Sequence, residues 1–449
     1  MTRTIAPVAA LLLSVAILLT GNGLQGTLLP VRAQLEEFST LDIGILGSAY
    51  YLGFAAGCFL SPLLVRRVGH IRAFTAMSAI ASAAVLVHAV YTYSWVWWVV
   101  RALTGFCFAA LYAVIESWLN ERATNETRGK VMSAYLIIQL TVITLGQMMI
   151  TLSDPAQFAL FALASILVSV AAVPVAMTSA AAPAPIERVK VRIRHLIGVS
   201  PVGFAGSFAH GMAGGAFWSL APLFGSRNGM GVSGIAVFMS ITVVAGAAGQ
   251  WPIGRLSDRT DRRSVLIFAC AGAALAAIGM IFLRFLSVHS MYAYAALWGF
   301  FAFPLYAIAV AHANDFAKPT EFVEVSSGLL LVYGAGAVLG PVIASQAIVV
   351  VGPDGLFGTT AAVHLVLIVF VLWRKHVREA PPMEEHVTFV EALQATTTAS
   401  ATFDIETHPQ ALTDRPRDKD DDGPGGADEK TSRPDAEAAR SDGDNDALV

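Results

Sequence analysis

Three features of the chain put charge where charge is costly. Arg101 and Glu116 fall within one apolar run, residues 95 to 118. They are 116 − 101 = 15 positions apart, about 22 Å if the run is helical, so they cannot pair directly. At about 100° per residue they still lie within about 60° of one face, so both can address the same cavity. An arginine inside a bilayer costs at least roughly 2.5 kcal/mol. Arg101 therefore pairs with an anionic solute, couples to a protonated group, or ties helices together through backbone carbonyls. Glu116 is the one carboxylate well within an apolar run. Taking a carboxylate out of water favours its neutral form, which suits a group that loads and releases a proton, so Glu116 is the proton-coupling candidate. The competing reading is a structural carboxylate at the interface near Glu121 and Arg122.

The third feature is the run from Gly254 to Arg263. It holds four arginines (Arg255, Arg259, Arg262, Arg263) and two aspartates (Asp258, Asp261) in ten residues. Such a piece cannot cross a bilayer and must be a surface loop between two membrane helices. A diverged copy starts at Ser61, with Arg66, Arg67, Gly69 and Arg72, at a separation of 254 − 61 = 193 residues. Neutral polar residues inside the apolar runs complete the candidate set. Asn22 and Gln25, three apart, share a helix face; Gln139, Gln147, His210, Trp218, Gln250, His312 and Tyr333 are placed to line a cavity or to bond between helices. Gln139 and Tyr333 stand 194 residues apart. No phosphate-cradling glycine loop, metal-ligand cluster or catalytic-triad spacing is present, so no enzymatic chemistry, cofactor, metal or nucleic acid is expected. Cys58, Cys107 and Cys270 lie in apolar runs and read as packing residues.

Those residues need membrane helices to position them. Of 449 residues 55% are hydrophobic and 14% charged, against roughly 25% charged in soluble domains. At about 20 apolar residues per crossing, twelve helices are counted, near 5–30, 41–65, 72–93, 95–118, 131–152, 156–178, 201–224, 232–254, 264–286, 290–313, 323–350 and 354–373. Residues 1–178 form a first six-helix half, 179–200 a basic connector, and 201–376 a second half. An even number of crossings per half makes the halves parallel repeats, related by a pseudo-two-fold axis along the membrane normal. Gly105 and Gly299, Ser133 and Ser327, and Gly146 and Gly340 repeat at an offset of 194. Lysine and arginine gather in alternate loops, which puts both termini in the cytoplasm. Net charge divides the chain: residues 1–378 carry 23 Lys and Arg against 14 Asp and Glu, or +9, and 379–449 carry 6 against 18, or −12. From 377 to 449 a Pro, Gly and Asp-rich composition predicts a disordered acidic tail.

Gly254, Asp258, Arg259, Arg262 and Arg263 resemble the loop motif of the major facilitator superfamily. Arg101 followed by Gly105 looks like its second motif, and Gly334, Gly336, Gly340 and Pro341 resemble its glycine and proline-rich motif. The resemblance covers residues 5 to 376. It departs at Ser61 and Val65, where the first-half loop lacks glycine and aspartate, and at Gln147, where the fifth helix lacks a proline. The order Arg101, Gly105, Glu116, Ser117 is similar to a poorly characterised bacterial branch of presumed exporters. The resemblance implies a monomeric secondary transporter in the bacterial inner membrane, surrounded by lipid and moving a small organic solute by alternating access. It also implies that Gly254, Asp258, Arg259, Arg262 and Arg263, with Arg66, Gly69 and Arg72, act as a gate. Scarce buried charge favours a weakly polar, amphiphilic or singly anionic cargo. Proton-coupled export is the first expectation; proton-coupled uptake, passive facilitation, and a membrane sensor or scaffold are the alternatives.

Overall fold

The computed structural model describes residues 9–123, 127–178, 190–377, 388–389 and the backbone of 404–405. The rest of the expected acidic tail and connector residues 179–189 lie outside the described residues. Apart from a two-residue pairing of Lys190–Val191 with Asp404–Ile405, the described chain is helical.

Eleven helices are long and apolar enough to span a membrane: α1 (Ala9–Leu35), α2 (Thr40–Val68), α3 (His70–Val90), α4 (Ser94–Arg122), α5 (Lys130–Leu152), α6 (Ala159–Ala176), α8 (Val232–Ser257), α9 (Arg262–Leu286), α10 (Val288–Asn314), α11 (Phe322–Val351) and α12 (Gly355–Val377). The remaining one, α7 (Pro201–Arg227), is 27 residues long. It reaches the same apolarity only together with a short helix, Ile193–Val199, from which it turns by 113°. Helices suit these runs because each satisfies its own backbone hydrogen bonds where lipid offers no partner.

Boundaries follow local chemistry. The Ser39 hydroxyl accepts from the Asp42 backbone N–H at 3.1 Å, and the Asp42 carboxylate accepts from the Ser39 N–H at 3.0 Å, a reciprocal cap that starts α2. Gly69, at φ +86, turns the chain between α2 and α3. Ser200 caps α7 through the Gly203 N–H at 2.9 Å, with Pro201 in the first turn. Two features differ from the expected spans. The connector contains the short helix Ile193–Val199, and α10 is interrupted between Ala302 and Leu305. Pro304, which lacks an N–H and cannot continue the helical ladder, accounts for the second.

The offset of 194 marks equivalent packing. A Cβ on Gly105 would lie 2.0 Å from the Tyr50 carbonyl oxygen, so this glycine lets α4 touch α2. Gly299 does the same for α10 against α8, with the Thr242 carbonyl 2.3 Å from the Cβ position. Gly146 meets Thr20 between α5 and α1, and Gly340 meets Met212 between α11 and α7, at 2.2 and 2.1 Å. Each pair brings two backbones together where any side chain would hold them apart.

Candidate functional site

A cavity of about 440 Å³ lies between the first six and the last six spans. Asn22 of α1, Arg101 and Glu116 of α4, Gln139 of α5, Trp218 of α7 and Tyr333 of α11 all line it. The two charged residues of α4 thus line the same cavity. Gln139 and Tyr333, at equivalent positions, do too. Aromatic residues that carry no distinguishing signal in the sequence complete the wall: Tyr50, Tyr51 and Phe54 of α2, Tyr112 of α4 and Tyr306 of α10.

Arg101 has only neutral neighbours in the cavity. Its guanidinium stacks 4.3 Å from the centre of the Tyr50 ring and donates from Nη1 to Gln25 Oε1 at 3.4 Å. Among the described residues no carboxylate lies within ion-pair distance of it. Glu116, 4% exposed, accepts from the Tyr135 hydroxyl at 3.5 Å. The cavity therefore offers one fixed cation, one carboxyl group and aromatic walls between them. It can hold a compact organic molecule, orient one anionic group, and keep a proton carrier within the same enclosure.

Four candidates lie outside the lining. Gln25 is 1% exposed and sits behind Arg101 as its acceptor. His210 stacks on Tyr306 at 6.0 Å and packs against Tyr333 at 5.6 Å, so these rings screen it from the cavity. Gln250, half-buried on α8, does not line the cavity. His312 shares a hydrogen bond of 3.0 Å between Nδ1 and the Ser200 hydroxyl near the end of α10. All four are polar residues in apolar runs, and sequence alone cannot separate an interhelical bond from a cavity wall.

At one end the two sets of helices meet closely. The Ser48 hydroxyl donates to the Val338 carbonyl at 2.6 Å, and Arg227 Nη2 donates to the Thr40 hydroxyl at 2.6 Å. Gly44 faces Ser345 and Pro341, and Gly47 faces Ser219, each with no room for a Cβ. The charged loops lie at the opposite end.

The loop between α8 and α9 is a bonded network. Arg262, its side chain 1% exposed, pairs through Nε with Asp315 Oδ2 at 2.5 Å and donates to the Ser257 hydroxyl at 3.2 Å. Its Nη1 lies 3.6 Å from Asp258 Oδ1. Asp261 caps α9 by accepting from the Arg263 N–H at 3.0 Å; it also pairs with Arg263 Nε at 3.2 Å and Lys375 Nζ at 3.4 Å. Burial works to raise the Asp261 carboxyl, but the Arg263 backbone N–H, the Arg263 guanidinium and Lys375 outweigh it and hold the group below its ordinary range. Chain adjacency alone suggests Asp258 beside Arg259, and Asp261 close to Arg262 and Arg263. Asp261 pairs with Arg263, but Arg259 is exposed and the nearest carboxylate to Arg262 is Asp315, just past the end of α10. The only advance sign of Asp315 is an acidic residue just past an apolar run. In the first-half copy, Arg66, Gly69 and Arg72 are exposed.

A sequence model described as Major Facilitator Superfamily matches residues 11–329. The chain belongs to the major facilitator superfamily. It is a multi-pass membrane protein that transports a small solute by alternating access, without enzymatic chemistry. It is 28% identical over 375 residues to an uncharacterised MFS-type transporter of Enterobacter sp. (strain 638), covering 82% of this chain and 95% of that one. It is 27% identical over 369 residues to the uncharacterised MFS-type transporter YcaD of Escherichia fergusonii, with the same coverage of 82% and 95%. Among solved structures, a point mutant of the nucleoside transporter NupG superposes with a TM-score of 0.69 at 14% identity, covering 81% of this chain and 99% of that one. A bacterial homologue of the human lysosomal transporter Spinster, inward-facing and occupied, gives 0.66 at 14% identity, covering 84% and 97%. At that identity the shared property is the superfamily fold.

Proposed function

We propose that this superfamily member takes up a small organic solute across the bacterial inner membrane together with a proton, both termini facing the cytoplasm. The observation that carries the reading is the joint placement of Arg101 and Glu116 on one aromatic-walled cavity of about 440 Å³. A volume in this range suits a molecule of nucleoside or amino-aromatic size. One half-buried guanidinium with neutral neighbours favours one anionic group on the cargo, because a charge drawn partly out of water without a partner is costly. A singly anionic solute travelling with a proton moves no net charge. Glu116 would carry that proton and release it as the cavity opens to the cytoplasm. Proton-coupled uptake replaces the first expectation of export: no feature of the cavity selects export, and a fucose:proton symporter shares the fold with a TM-score of 0.52.

The test is flux in sealed proteoliposomes with an imposed pH gradient, using pooled metabolites and comparing wild type with Glu116→Gln and Arg101→Gln. Gradient-driven accumulation of an anion is expected in wild type. Glu116→Gln is expected to retain counterflow but lose accumulation, and Arg101→Gln to lose anion flux about tenfold or more, a difference of ~1.4 kcal/mol. Flux that equilibrates the solute without accumulation, indifferent to both the gradient and Glu116→Gln, points to passive facilitation and overturns proton coupling.

A further inference from the structure

The short helix Ile193–Val199 runs into α7 through Ser200, and its side chains divide between the two sets of six spans. Its polar ties are to the last six. Arg192, at the helix cap, donates from Nε and Nη2 to Glu324 Oε1 and Oε2 of α11 at 2.9 and 3.1 Å. His195 Nε2 lies 3.6 Å from Oε1 of Glu321, the residue before α11. Leu196, 3% exposed, joins an apolar cluster with Val310 and Ala313 of α10 and Val325 and Leu329 of α11. Ile193 instead meets the first six. Half-buried, it packs on the pair formed by Cys58 of α2 and Ala109 of α4, and Leu330 and Leu331 of α11 pack on the same pair.

This contact sits where the cavity lining stops. Cys58 is the last residue of α2 to line the cavity on the way to the loop between α2 and α3, and Leu330 is the first of α11 to line it after the loop from α10. Toward the other end the seam between α2 and α11 is held directly, by the Ser48 hydrogen bond to Val338 and the close approach of Gly44 to Pro341 and Ser345. We propose that the connector helix is a strap across this seam at the charged-loop end: Arg192 and Leu196 fasten it to the last six spans, Ile193 bears on the first six, and the contact sets how readily the two sets part there. Because its anchors hold the helix to α11, separating α2 from α11 at this end pulls Ile193 off Cys58 and Ala109. Apolar surface is then exposed to water, which favours the engaged arrangement. Ile193 is thus a gating residue that touches neither cargo nor proton.

The test needs no substrate. Cys58, 3% exposed, lies in the seam, whereas Cys107 and Cys270 are buried away from the cavity lining. In the full chain carrying Cys107→Ala and Cys270→Ala, reconstituted in liposomes, N-ethylmaleimide labelling of Cys58 is followed by mass spectrometry. Ile193→Ala is expected to speed labelling roughly threefold or more, as the population with the seam parted rises. Glu324→Gln, which keeps Ile193 and loosens its anchor, is expected to act in the same direction. The charge exchange Arg192→Glu with Glu324→Arg is expected to return labelling to the parent rate, and that rescue separates release of the strap from misfolding. Unchanged or slower labelling in Ile193→Ala overturns the proposal, as does a charge exchange that labels as fast as Glu324→Gln. The readout depends on neither Glu116 nor a cargo, so its failure is distinct from a failure of proton-coupled uptake.

Discussion

Asp261 has three jobs at once: it caps α9, pairs with Arg263 and receives Lys375 from α12. Because its carboxyl is held below the ordinary value of about 3.9, its contribution to stability is full above that value and fades as pH falls through the lower folded one. Asp261→Asn is expected to lower the unfolding temperature in detergent by a few degrees at pH 7, and the gap to close as pH drops below about 4. A gap of the same size at every pH would mean the cap, not the charge, matters. Other residues are less legible in the sequence than this charged run. Arg101 and Glu116 stand out because charge in an apolar run is rare. Tyr50, Tyr51, Tyr112 and Tyr306 do not, because a tyrosine in such a run reads equally well as core. Which wall they face depends on helix rotation, and that is set by packing between distant segments such as α2 and α11.

At the scale of elements, the helices are readable because length and apolarity alone decide whether a segment spans, and the expected and observed boundaries agree closely from α2 to α12. The halt in α10 at Pro304 is hidden by apolar residues on both sides. The helix Ile193–Val199 is hidden by the basic composition around it. Helix pairing is legible only through the repeated glycines. Gly105→Ala and Gly299→Ala should each destabilise by about 1–3 kcal/mol, toward the upper end because the obstructing atom is backbone and cannot turn aside. Gly358, with nothing within 4 Å of its Cβ position, is the control, and Gly358→Ala should change stability by less than about 0.5 kcal/mol. Thermal or denaturant unfolding in detergent measures both. Equal behaviour of all three variants would mean that the close approaches do not hold the bundle.

Across the whole molecule the two charged loops are unequal. Asp315 has Glu121 as its counterpart at an offset of 194, yet Glu121 is exposed while Asp315 is buried against Arg262. At the loop's own offset of 193 the counterpart of Arg262 is Gly69, and at 194 it is Val68, so on either count the first set of helices lacks the cation that would complete the pair. Asp315→Asn leaves Arg262 without its nearest carboxylate and should cost about 3–5 kcal/mol. Glu121→Gln should fall within about 0.5 kcal/mol of wild type. Similar losses in both variants, read by unfolding in detergent, would remove the asymmetry. The copy at Ser61 to Arg72, which lacks aspartate at Val65, points the same way from sequence alone.

The modest apolarity of α7 also bears on how the chain is made. Its glycines, Ser207 and His210 suit it to lie backbone to backbone with α11, but they make it a poor candidate to leave the translocon for lipid unaided. It is therefore expected to wait beside the insertion machinery until later helices emerge, so that the second six spans are inserted cooperatively rather than one by one. A ribosome-released chain ending after Ser257 should leave α7 open to protease, and one ending after Val351 should protect it. Protection in both would show that α8 alone is companion enough.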